Sequence, residues 1–187
     1  MIEAAGRMSG DTIEIVRIRP YHVEGFRRTF DAVARERRFL AVLEAPPLDE
    51  VRQYVQDAID ADDPMAVALG EDAVVGWCDI RRYRQATRRH RGALGMGVIP
   101  AWRRRGVGSR LLGAVLELAR ARDFARVDLD VYANNAPAIR LYEKFGFARE
   151  GFQRDAFRID GRSFDAIAMA WFAGARTIEE GWRPESG

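Results

Sequence analysis

Apolar and polar residues alternate over residues 12–18, the period-two pattern of a strand with one buried face. Residues 21–39 read as a charged helical region. Over residues 48–61 the period changes. Val51, Tyr54, Val55, Ala58 and Ile59 return at helical spacing, and Asp49 is placed to cap that helix. Residues 65–69 and 74–83 read as two strands around a turn at 70–73, a hairpin. A basic loop, 84–91, leads into a short apolar strand at 92–98 that Pro100 stops. Leu111, Leu112, Val115, Leu118 and Ala119 then form the buried stripe of a long helix over 109–122. Val127, Leu129 and Val131 alternate with Asp128 and Asp130, which gives the next strand two distinct faces. Asn135 is placed to cap a short helix, with Pro137 in its first turn and Gly146 at its end. Residues 152–159 and 163–172 flank Asp160-Gly161, a strong hairpin turn.

The 187 residues suffice for one domain with a sizeable core, and no repeat or linker divides them. Residues 1–11 are small and polar and are expected to be disordered. Residues 12–175 form the domain, and 176–187 a C-terminal tail. No apolar run is long enough to span a bilayer, and no apolar leader is present, so a cytoplasmic location is expected. The single cysteine, Cys78, excludes an intrachain disulfide. The net charge of +2 is built mainly from arginine, clustered at 35–38, 81–91 and 103–105. No aromatic residues interleave with a basic stripe, so nucleic acid is not an expected partner. His22 and His90 are far apart and no metal-ligand cluster occurs, so no metal is expected.

The stretch Arg103-Arg104-Arg105-Gly106-Val107-Gly108 lies between the strand at 92–98 and the helix that begins near Ser109. A Gly-rich turn opening a helix presents unpaired N–H groups and the positive helix end to an anion. Glycine lets the backbone approach closely. A phosphate-binding loop of the Walker type would need Gly-Lys-Ser/Thr, which is absent. A dinucleotide fingerprint would need a third glycine where Leu111 stands. Arg103, Gly106 and Gly108 instead fit Arg/Gln-x-x-Gly-x-Gly/Ala. Downstream, residues 135–147 read Asn-Ala-Pro-Ala-Ile-Arg-Leu-Tyr-Glu-Lys-Phe-Gly-Phe, one helix and one strand away.

These two motifs together resemble the GNAT acyltransferase superfamily. The resemblance spans about residues 65–171, and the N-terminal third fits that family's first strand and helix pair. It implies a mixed α/β (α+β) fold, in which a central, mostly antiparallel sheet splays into a V between two parallel strands. It implies acetyl-CoA as acyl donor, with no metal, and direct acetyl transfer to a primary amine of a small molecule, amino acid or peptide. The segment from Ile159 onward looks most like bacterial members that acetylate small molecules or amino-acid-like amines. Homodimers are common in that family.

Carried onto this chain, the resemblance assigns Met96, Gly97 and Val98 to the pantetheine arm, with the N–H near Val98 facing the thioester oxygen. It assigns Arg103, Arg104, Arg105, Gly106, Val107, Gly108 and Ser109 to the pyrophosphate, and Asn135 to the cofactor side. Tyr142 would be the general acid at the departing sulfur, and Asp130 the general base or the ligand of the substrate ammonium. The strand at 92–98 carries no acid, unlike many relatives, so Glu44 and Asp79 stand as further candidates for the base. The glycines at 95 and 97 fit either a splayed strand or a packing need. Cys78, in an apolar strand without a nearby histidine, reads as structural rather than acyl-carrying. Trp77 and Trp102 read as packing residues. A non-catalytic acyl-CoA-binding module is the alternative function.

Overall fold

The computed structural model describes residues 12–174, and the expectations for 1–11 and for the tail beyond residue 175 lie outside it. Seven strands and four α-helices follow in the order β1 (Ile13–Arg17), α1 (Val23–Ala34), α2 (Leu48–Asp60), β2 (Met65–Gly70), β3 (Ala73–Arg82), β4 (Arg91–Val98), α3 (Val107–Arg120), β5 (Arg126–Tyr132), α4 (Ala136–Lys144), β6 (Ala148–Ile159) and β7 (Arg162–Phe172). They build one sheet in the order β1-β2-β3-β4-β5-β7-β6. Every neighbouring pair is antiparallel except β4 and β5. The expected mixed fold with one parallel pair is therefore present.

Strand periodicity sorts the side chains onto two faces. On one, α3 and α4 lay Leu111, Leu112, Val115, Leu116 and Ile139 against Cys78, Ile80, Val127, Leu129 and Met169. On the other, α1 and α2 lay Phe26, Val51 and Val55 against Met65, Val67 and Trp77. Each fully buried aliphatic side chain contributes about 1.5–3 kcal/mol by leaving water, so these two layers fix the helices on the sheet.

Several boundaries differ from the sequence expectation. Residues 35–47 leave the helix that 21–39 suggests, because α1 ends at Ala34 and Arg37 turns left-handed at φ 51°. Pro47, not Asp49, occupies the N-cap of α2; Asp49 sits in the first turn, where its charge still favours the positive helix end. In α3, Leu116 is buried and Leu118 only half-buried, so Leu116 takes the place expected of Leu118 in the stripe. β6 starts four residues earlier than expected, and register shifts interrupt its pairing with β7. The turns at Glu71-Asp72 and Asp160-Gly161 have positive φ at both central residues, the geometry that matches strand twist in tight hairpins.

Candidate active site

β4 and β5 pair over three positions only: Arg91 with Arg126, Gly92 with Val127, and Ala93 with Asp128. Beyond Ala93 the strands separate. Residues 94–98 of β4 stay paired to β3 on one side and face a widening cleft on the other. The closed end of the V is braced by ion pairs. Asp128 accepts from Arg91 at 2.9 Å and from Arg126 at 2.6 Å, and Arg126 also pairs with Glu150.

The loop that opens α3 stands at the wide end. Arg104 (φ 60°) and Gly106 (φ 79°) are left-handed, and Gly106 is the N-cap. α3 consequently begins at Val107, two residues before the expected start. The first helical bond within this turn is from Arg110 N–H to Gly106 O, 3.1 Å. The N–H groups of Val107, Gly108 and Ser109 precede it and point outward from the helix end. No atom lies within 4 Å of where a Cβ of Gly106 would stand, so its constraint is conformation and open approach. A Cβ on Gly108 would lie 3.4 Å from Leu141 and 3.5 Å from Met96. That contact brings the loop, α4 and β4 to one point. The cradle of free N–H groups, open space and exposed Arg104 and Arg105 suits a pyrophosphate.

Arg103 does something the motif did not suggest. Its Nε donates to Val98 O at 2.7 Å, and its two terminal nitrogens donate to Glu36, just past α1, one of them at 2.8 Å. The guanidinium thus clasps the end of β4 to the α1–α2 segment across the cleft mouth. Glu36 lay inside an Arg-rich cluster in the sequence, and nothing local pointed to a partner 67 residues away.

The glycines of β4 have a packing explanation. A Cβ on Gly97 would stand 2.3 Å from the Trp77 ring, and one on Gly95 would stand 3.2 Å from Asp79 Oδ1. Trp77 and Asp79 lean over the strand and need those hydrogens. The splay is a separate fact, set by where β5 stops pairing.

α4 is held by two well-formed caps. Asn135 Oδ1 accepts from Ala138 N at 3.4 Å, and Asn135 N donates to Tyr132 O at 2.8 Å. At the other end Gly146 is left-handed at φ 87°, with Gly146 N on Glu143 O and Phe147 N on Tyr142 O, each 3.0 Å. This reciprocal C-terminal pattern fixes the last turn. Asn135 therefore acts as a helix cap that orients Tyr142. Tyr142 itself is buried on the α3 face beside Phe147, 5.6 Å between ring centroids. Burial, with Cys78 nearby, drives its phenol well above the ordinary range, so the hydroxyl stays protonated and can donate.

The carboxylates lie on the other face. Asp130 is exposed and accepts from Gln153 Nε2 at 2.9 Å. Next to it Tyr132 stacks on Phe157 at 4.2 Å and donates to Leu40 O at 3.1 Å, forming an aromatic wall with Phe39 and Phe164. Asp79 is buried and accepts from Tyr54 Oη at 2.5 Å. Burial pushes its carboxyl up to about 6, against the Tyr54 hydrogen bond. Glu44 is exposed and pairs with Arg35 at 3.5 Å. Cys78 is buried, and burial raises its thiol, as suits a packing residue. His22 is buried with Nδ1 accepting from Arg19 N at 3.1 Å, and His90 is an exposed turn residue. Among the described residues no cluster of His, Cys, Asp or Glu could hold a metal, and no helix is long and apolar enough to cross a membrane.

The profile of the acetyltransferase (GNAT) family matches residues 28–147, and the chain belongs to that family. It is 34% identical over 105 residues to the L-amino acid N-acetyltransferase AaaT of Escherichia coli K12, covering 56% of this chain and 65% of that protein. It is 40% identical over 76 residues to the E. coli K12 ribosomal protein bS18-alanine N-acetyltransferase, covering 40% and 51%. The matches thus span 65% or less of these two relatives' lengths. Among solved structures, Salmonella typhimurium yncA with acetyl-CoA superposes with a TM-score of 0.83 at 16% identity, over 92% of this chain and 100% of that one. A Sinorhizobium meliloti phosphinothricin acetyltransferase with acetyl-CoA gives 0.79 at 20% identity, over 94% and 98%. At those identities the likeness concerns the fold.

Proposed function

We propose that the chain is an acetyl-CoA-dependent N-acetyltransferase that moves the acetyl group directly to a primary amine. The observation that carries this reading is the β4–β5 separation beyond Ala93, opening toward the Gly106 helix start. The free edge of β4 offers N–H and C=O groups to an extended amide arm, and the α3 N–H groups suit its pyrophosphate. Acetyl-CoA supplies an activated thioester. Val98 and its neighbours on the β4 edge would hold the thioester oxygen. Tyr142, kept protonated by burial, would donate to the departing sulfur. Asp130 with Gln153 would receive the acceptor's ammonium on the opposite face of the sheet.

The relatives named for L-amino acids and for an alanine of ribosomal protein bS18 support an amino-acid-like or peptide amine as acceptor. A cytoplasmic enzyme suits such substrates. The test is CoA release from acetyl-CoA across L-amino acids, polyamines, aminoglycosides and short peptides, together with thermal shifts. Acetyl-CoA at about 100 times its Kd should stabilise the fold by about 2.7 kcal/mol by mass action, and NADH should not. A shift with NADH and none with acetyl-CoA would sink the reading. Binding without turnover on any amine would favour an acyl-CoA-binding module.

A further inference from the structure

The strand register makes a neat division around β4. Cys78 pairs with Met96 and Asp79 with Gly95. Adjacent strand residues point to opposite faces, so Cys78 and Asp79 mark the two sides of one short stretch of β4. On the Cys78 side stands Tyr142, whose phenol feels the Cys78 thiol, and whose neighbour Leu141 reaches Gly108 beside Met96. On the Asp79 side stands a buried polar cluster that the proposed reaction has not used. Asp79 Oδ2 accepts from Tyr54 of α2, and Arg81 lies 4.3 Å over the Tyr54 ring, with one nitrogen on Tyr54 O at 2.7 Å. Asp63 completes the group, 3.5 Å from Arg81. This stretch of β4 is the beginning of the open edge, just past the last β4–β5 pair at Ala93.

Resting on the acetyltransferase reading, we propose that Asp79, oriented by Tyr54, is the group that takes the acceptor ammonium's proton, over the side-chain-free backbone of Gly95. Three features support it. Gly95 carries no side chain, and Asp79 Oδ1 stands 3.2 Å from where its Cβ would be, so the carboxylate itself leans over the β4 backbone where the open edge begins. Asp79 faces the same side of the sheet as Asp130, which alternates with the buried Leu129 and Val131. Tyr54 lies at the edge of the cluster and is 37% exposed, which gives the proton a way to solvent past its ring.

The charges around Asp79 tune it. Burial is the dominant cause of its raised pKa, Tyr54 and Arg81 oppose that rise, Asp63 adds to it, and Trp77 opposes it weakly. The result, about 6, lets the carboxylate be ionised at neutral pH yet basic enough to accept a proton. The proton balance is complete. One proton leaves the ammonium for Asp79 and passes to solvent. As the C–N bond forms and the C–S bond breaks, nitrogen sheds a second proton. This one replaces the proton that Tyr142 gives to the leaving thiolate.

The experiment is the pH profile of kcat/KM with acetyl-CoA and the fastest acceptor among L-amino acids, spermidine and an alanine-initiated peptide. Wild type should show an acidic limb near pH 6. Asp79→Asn should lose that limb and lower kcat about 100-fold or more, with acetyl-CoA affinity unchanged. Tyr54→Phe removes a hydrogen bond that lowers the carboxyl's pKa, so its limb should move to higher pH. A merely structural cluster would reduce activity without moving the limb. Folding does not confound the variant. Because the folded-state pKa is raised, Asp79 favours folding most below its unfolded pKa near 4 and loses that contribution as pH rises to about 6. Removing the charge should therefore leave melting at pH 8 unchanged or higher. Wild-type turnover with an Asp79→Asn limb and kcat within twofold of it would overturn the proposal alone. No turnover by wild type on any amine would overturn the acetyltransferase reading, and the proposal with it.

Discussion

Replacing Arg103 with alanine separates two roles that the motif alone cannot distinguish. If the guanidinium is a phosphate ligand, its loss should weaken acetyl-CoA binding, and loss of Glu36 should leave binding intact or tighten it by freeing the arginine. The observed clasp gives a different expectation. Arg103 is committed to Val98 O and to both oxygens of Glu36, with side chains 39% and 22% exposed. A charge-assisted fork in such a half-wet setting is worth about 1–2 kcal/mol, between an exposed pair and a buried one. For a domain of this size that corresponds to a fall in Tm of about 3–6 °C. Glu36→Ala should cost nearly the same, and the double variant little more than either, because both single changes break one clasp. Acetyl-CoA affinity should fall by a similar factor, about three- to tenfold, in all three, since each releases the end of β4 from the α1–α2 segment. Calorimetry and thermal melts of the four proteins close the cycle. Additive losses, or a Glu36→Ala variant that binds acetyl-CoA as well as wild type while Arg103→Ala loses more than tenfold, would refute the brace.

Tyr142→Phe should lower kcat by about 100-fold or more with acetyl-CoA affinity nearly kept, because the ring supplies packing and the hydroxyl, in the proposed reaction, supplies the proton. An unchanged single-turnover rate would make it a packing residue. Gly97→Ala should destabilise the fold by about 1–3 kcal/mol or more in urea melts, since its Cβ would enter the space of the buried Trp77 ring at 2.3 Å. Gly95→Ala, 3.2 Å from a carboxylate oxygen, should cost less, and equal costs at the two positions would contradict the packing account.

Much of this protein is legible from the sequence because its signals are local. Alternation in residues 12–18 and 127–131, the stripe from Leu111 to Ala119 and the Asp160-Gly161 turn each follow from backbone periodicity or a φ preference within a few residues. The same holds for the Gly106 loop, whose left-handed turn and helix start lie within a few residues, and for Asn135 and Gly146, which bracket α4. Tertiary structure decided whatever depends on partners distant in the chain. The strand register placed Trp77 and Asp79 over Gly97 and Gly95, turning an odd run of glycines into a packing requirement. The end of β4–β5 pairing set the cleft's apex. Arg103 found Glu36 rather than standing free, and Asp79 found Tyr54, which the helical pattern had marked only as part of an apolar stripe. The α3 stripe turned from Leu118 to Leu116 because the sheet, not the helix, selects which side is covered. Local chemistry fixes what each segment can do; burial and electrostatics depend on which segments meet, and only the folded chain brings them together.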